Sequence, residues 1–176
     1  MEYLYDFIFA IISGIISGAI ASYFFLNWYL NRKRPKIGIS NYISIETIEG
    51  KKNYLFKFVN FTETEIFDVN IELTLFKPIG EFNGKNLKST DIKLKDNFIA
   101  YVPCEKINDD YNLHAMRLRT EDDLEDLWKD TSSFLRISIV AKHALSGMSK
   151  VISHDFLSIE CITNKKFISG SNLEIN

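Results

Sequence analysis

The chain has 176 residues, 46% of them hydrophobic, with 21 lysines and arginines against 23 aspartates and glutamates for a formal net charge of −2. So even a balance offers no concentrated cationic face, and nucleic acid is not an expected partner. Two cysteines are also too few for the disulfide framework of a small secreted domain.

The first element is "FIFAIISGIISGAIASYFFLNWYLN", Phe7 to Asn31, which holds no charged residue. Its ~25 residues exceed the roughly 20 needed to cross a ~30 Å hydrocarbon core, so a transmembrane helix is predicted. A cleaved signal peptide would begin with basic residues, whereas Glu2 and Asp6 make this start acidic. Arg32, Lys33, Arg34 and Lys36 follow the run and mark the cytoplasmic side of a cell membrane, which leaves the N-terminus outside. Tyr23, Trp28 and Tyr29 suit an aromatic belt at that interface. The predicted organisation is a transmembrane anchor over residues 1–31, a basic juxtamembrane linker over 32–36 facing lipid headgroups, and a cytoplasmic domain over 37–176. Within the anchor, Gly14, Gly18 and Ser22 recur every four residues, as do Ser13, Ser17 and Ala21. Small residues on adjoining stripes let helix backbones approach closely, so the anchor is expected to pack on a second copy or on a partner membrane protein.

About 140 residues follow, enough for one domain with a real core. They are dominated by alternation with a period of two. In "VNIELTLF", Val69, Ile71, Leu73 and Leu75 face one way and Asn70, Glu72 and Thr74 the other; "FLRISIVAKH" repeats the pattern from Phe134. Further strands are predicted over 37–45, 54–60, 87–94, 98–102, 150–154 and 156–162. Turn signals lie at Glu49-Gly50, Asn60 to Thr64, Pro78 to Gly84 and Ser146-Gly147. Short strands at this spacing without alternating helices predict a mainly β fold, an antiparallel sandwich or barrel. One short helix is expected in "RTEDDLEDLWKD", with Thr120 as its cap and Leu124, Leu127 and Trp128 on one face.

No catalytic constellation stands out. His114, His143 and His154 lack metal-ligand spacing, Cys104 and Cys161 have no CxxC neighbour, and no glycine-rich phosphate loop precedes a helix. A non-enzymatic protein without a cofactor or metal is expected. "NFT" at Asn60 has the form of a glycosylation acceptor but reads more simply as a turn.

The order of pieces carries a resemblance. "RPKIGIS" (34–40), "YLFKFVN" (54–60), "IFDVNIELTL" (66–75), "DIKL" (91–94), "INDDYNLHAMRL" (107–118), "TEDDLEDL" from Thr120, "FLRISIVAKH" from Phe134 and "FLSIECITNKKF" (156–167) follow one another in turn. In that order they resemble the cytoplasmic domain of inward-rectifier potassium channels. The resemblance implies an immunoglobulin-like sandwich, a homo-oligomer in the form of a four-fold ring, and anionic headgroups at the positions of Arg34 and Lys36. The chain has no T-x-G-Y-G filter, pore helix or second span, so potassium-selective conduction is not implied. The layout also resembles small membrane-anchored, β-rich effectors of bacterial immune signalling. Two functions are therefore expected: a single-pass, oligomeric sensor or effector whose signalling perturbs or permeabilises the membrane, or a passive accessory subunit that ties a partner to it. The ligand is not legible.

Overall fold

The computed structural model describes residues 2–32, 34–81, 85–105 and 110–176. The chain divides into two compact units, Met1–Arg34 and Pro35–Asn176. The first is one helix, α1 (Glu2–Arg32), whose stretch Tyr3–Tyr29 is long and apolar enough to span a membrane and buries none of its residues within the chain. At 1.5 Å per residue that stretch measures ~40 Å, longer than the ~30 Å of a hydrocarbon core.

The second unit is built from β1 (Ile37–Ile39), β2 (Ile43–Ile48), β3 (Lys51–Asn60), β4 (Ile66–Glu81), β5 (Lys85–Ile92), β6 (Phe98–Val102), β7 (Ala115–Thr120), β8 (Phe134–His143), β9 (Ser149–Phe156) and β10 (Ile162–Thr163). β1 and β2 lie end to end on one edge of β3, and β7 pairs its other edge. β10 adds a short parallel pairing to β2. In the second sheet β5 and β6 share one edge of β4, and β8 and β9 follow on the other, all antiparallel. Taking each end-to-end pair as one strand, the first, second and fifth strands form one sheet and the fourth, third, sixth and seventh the other. This is an immunoglobulin-like order in which the fourth strand pairs with the third instead of the fifth, while the other six strands keep their places.

Alternation explains how the sheets close on each other. Along β8 every second residue from Leu135 to His143 is buried, and these meet Ile71, Leu73 and Leu75 of β4 and Phe56, Phe58 and Leu118 of the first sheet in one core. Phe56 touches Phe156 across the sandwich, with ring centroids 5.8 Å apart. Ile66 and Val69 are both buried although three positions apart, which strict alternation forbids. The pairing of β4 with β8 slips between Phe67 and Asn70, where Asp68 takes a φ of 48°, and this bulge turns both side chains inward.

Several local expectations change. The strand expected over 37–45 is interrupted at Ser40, whose hydroxyl accepts from the Tyr42 amide. The strand expected over 87–94 lies at Lys85–Ile92, and that over 156–162 is a single 3₁₀ turn, Ile159–Cys161, capped by Ser158. The short helix α2 spans only Leu124–Leu127, and Asp123, not Thr120, caps it by accepting from the Glu125 and Asp126 amides. Thr120 ends β7 and donates to the Lys93 carbonyl instead. β7 itself escaped the strand list, although Met116, Leu118 and Thr120 alternate with Arg117 and Arg119. Of the predicted turn from Pro78 to Gly84, residues 82–84 lie outside the described residues, and β4 runs on to Glu81.

Candidate functional site

On α1, Ser13, Gly14, Ser17, Gly18, Ala21 and Ser22 are all exposed, and a Cβ added at Gly14 or Gly18 would meet nothing within 4 Å. At about 100° per residue these positions spread over about half the helix circumference, a broad shallow face. The Ser13 and Ser17 hydroxyls donate to the carbonyls of Ala10 and Gly14, three residues back. Their hydrogens are thus used inside the helix, and what the face offers a neighbour is close van der Waals approach.

The basic cluster is divided. Arg32 closes α1 with its guanidinium 5.6 Å from the centre of the Trp28 ring, Arg34 is exposed, and Lys33 lies outside the described residues. Lys36 has an exposed side chain, but its backbone belongs to the sandwich: its amide donates to Thr62 Oγ1 at 2.9 Å and its carbonyl accepts from the Phe61 amide at 2.8 Å.

That contact opens onto a polar knot centred on Asn60, which is fully buried. Its Nδ2 donates to the carbonyls of Thr64, Val102 and Pro103, and its Oδ1 accepts from the Thr62 amide. The Asn60 amide donates to the His114 carbonyl, and Thr64 Oγ1 lies 2.8 Å from His143 Nε2. Asn60 therefore fastens the β3–β4 turn to the segment that follows β6 through its side chain and to the segment that precedes β7 through its backbone amide. In the folded domain the nitrogen of the sequon is thus buried and hydrogen-bonded.

A second buried group was not anticipated. Lys57 sits at the middle of β3 with 2% of its surface exposed. Its ammonium donates to the carbonyls of Ile168, Gly170 and Asn172 at 2.5, 2.8 and 2.6 Å. Three donors and three acceptors match. Burial and the neighbouring Arg117 charge hold this amine below the ordinary lysine value. The surrounding loop is closed by pairing of Phe167 with Ile175 and of Lys166 with Asn176, and it is tied down by Ser44 Oγ to the Lys165 carbonyl and Ser40 Oγ to the Leu173 carbonyl. As a result β3 is buried on both faces from Asn53 to Asn60. A lysine inside the apolar run "YLFKFVN" was the available signal, because a solvent-facing lysine and a buried one look alike until the covering segment is known.

Elsewhere the groups are structural. Among the described residues no set of three His, Cys, Asp or Glu side chains could hold a metal ion. Burial pushes the Cys161 thiol up to about 12, and burial lowers His154, whose ring packs edge-on against Phe156. Arg136 forms a two-point pair with Asp155 and holds that carboxyl below the usual range. No family model matches the chain, and no curated protein is significantly similar to it.

Proposed function

We propose that this is a single-pass membrane protein whose cytoplasmic immunoglobulin-like sandwich works as a non-enzymatic sensor or effector, assembled into a homo-oligomer through α1. The observation that carries this reading is the Tyr3–Tyr29 stretch, uncharged from Phe7 onward and buried nowhere in the chain, with an open small-residue face at Gly14 and Gly18. Such a surface is satisfied by lipid and by another helix. The sandwich contributes in the same sense: its buried polar side chains Ser40, Ser44, Lys57, Asn60 and Thr120 donate to the domain's own carbonyls, which builds a rigid body rather than a reaction centre. By its resemblance to inward-rectifier domains the oligomer is a four-fold ring, and a change in that ring is what disturbs the membrane.

The test is mass measurement of the full chain in detergent, alongside the Gly14→Leu/Gly18→Leu double variant. The wild type is expected as an oligomer. The double variant should insert normally, because leucine keeps the span apolar, yet show a smaller mass because the backbones are held apart. A monomeric wild type overturns the homo-oligomer and leaves the accessory reading, in which the same open face docks on a partner's helix. Orientation is read at Cys104, which a membrane-impermeant maleimide should leave unlabelled in intact cells.

A further inference from the structure

The two ends of the sandwich differ in what they expose. The polar knot gathers at one end the entry residue Lys36, the turn 60–65, the segment 110–114 before β7 and the β8–β9 turn, where the Ala144 amide donates to the Glu65 carbonyl. This end carries Tyr111, Leu113, Leu145 and Phe61 with 84%, 57%, 71% and 42% of their surface exposed. Behind them, on the same half, lie exposed Phe67, Tyr101, Phe98 and Val151. Among the described residues, the opposite end exposes the aliphatic side chains Ile79, Leu87, Leu157 and Ile159. Aromatic side chains with one apolar and one wet end are the ones that favour a membrane–water interface.

Chain connectivity says which end meets that interface. Only Lys33 and Arg34 separate Arg32, where α1 ends, from Pro35, where the sandwich begins. Three steps of extended chain reach at most ~11 Å. We propose that the Lys36 end of the sandwich rests in the interfacial zone of the bilayer through the apolar tips Phe61, Tyr111, Leu113 and Leu145. This contact rests on the reading of α1 as the span. Its chemistry is apolar rather than electrostatic, because Glu63, Glu65 and Asp110 share this end with Lys36 and Lys150 and offset their attraction to an anionic leaflet. Docked in this way, the sandwich would be held by its anchor and its loop tips together, and its tilt would be restrained.

The test uses the full chain in lipid nanodiscs, in a Cys104→Ser background, with an environment-sensitive fluorophore on Leu145→Cys, Leu157→Cys or Ile15→Cys. Cys161, which is only half-buried, is replaced by Ser as well, so that each protein carries one label. The quencher is a phospholipid brominated high on its acyl chains. Labels at Ile15 and Leu145 are expected to lose about half of their emission or more, and the label at Leu157 to lose none. The same loss is expected in zwitterionic and in anionic nanodiscs. Quenching at Ile15 with none at Leu145 overturns the docking and leaves the span standing. No quenching at Ile15 overturns both. Quenching at Leu145 confined to anionic lipid overturns the apolar contact in favour of headgroup attraction.

Discussion

Each sheet of the sandwich carries a cation on its outer face, and the two are treated in opposite ways. Lys57, on the first sheet, is sealed under the C-terminal loop, meets no carboxylate among the described residues and donates to three backbone carbonyls. Arg136, on the second, keeps more than a third of its side chain in solvent, pairs with Asp155 and lies over the rings of Phe76 and Phe134, which stack 5.1 Å apart. The first cation organises chain that has no regular structure of its own. The second decorates strands that alternation already holds. What a charge contributes therefore depends on what its removal would leave behind, three buried acceptors in one case and a solvated carboxylate in the other.

The sharpest way to break this comparison is Lys57→Met. It keeps the apolar stem and removes the donors, so the loss is expected at about 2–3 kcal/mol, the upper part of the range for leaving buried acceptors unsatisfied. Chemical denaturation of the full chain in detergent measures it. Hydrogen exchange should show residues 165–176 opening first, because the loop, once unlocked, can solvate its carbonyls without unfolding the sandwich. A loss below about 1 kcal/mol would mean that the loop is held by its Ser40 and Ser44 contacts and its own pairing, with Lys57 incidental.

A smaller effect is expected at Gly38, where the covering loop also constrains sterics. A Cβ there would come within 2.5 Å of Phe61 Cε2 and 2.9 Å of Leu173 Cδ1, both ends of movable side chains. Gly38→Ala should therefore cost about 1–2 kcal/mol, as overpacking does when neighbours can yield. On the open sheet, Ser138→Ala should stay within about 0.5 kcal/mol. Equal costs at the two sites would erase the distinction between a covered and an open face.

The same contrast explains what was legible in the sequence. α1 and the strands around Val69 and Leu135 are set by local pattern, and they stand where pattern puts them. The sandwich follows, because two alternating faces have only each other to bury against. The covering loop was not legible: residues 164–176 have little periodicity, and their place is fixed by contacts with Ser40, Ser44 and Lys57, more than 100 positions away in sequence. Asn60 reads as a turn residue and is one, yet its side-chain partners at Val102 and Pro103 come from another strand's end. Of the candidate site residues, those of the helix stripe are exposed like every other residue from Tyr3 to Trp28, while Lys36 is part of the folded domain through its backbone.

A small effect, and the most discriminating for the open face, is expected of Asp155→Asn. Arg136 lowers the Asp155 carboxyl through their hydrogen bond, so the folded value lies below the ~3.9 of an unfolded aspartate. A carboxyl lowered by folding contributes stability above the unfolded value and loses it as pH falls through the folded one. The wild type should thus exceed the variant near pH 7, with the gap closing below about pH 4. Because both side chains are about one-third exposed, water and salt screen the pair, and the gap should stay under about 1 kcal/mol and shrink in 1 M salt. Denaturation of both proteins at pH 7 and pH 3, with and without salt, reads each of these. A salt-insensitive gap of several kcal/mol would mean that the pair is dry in the working protein, and hence that the outer face of the second sheet is covered by a neighbouring subunit.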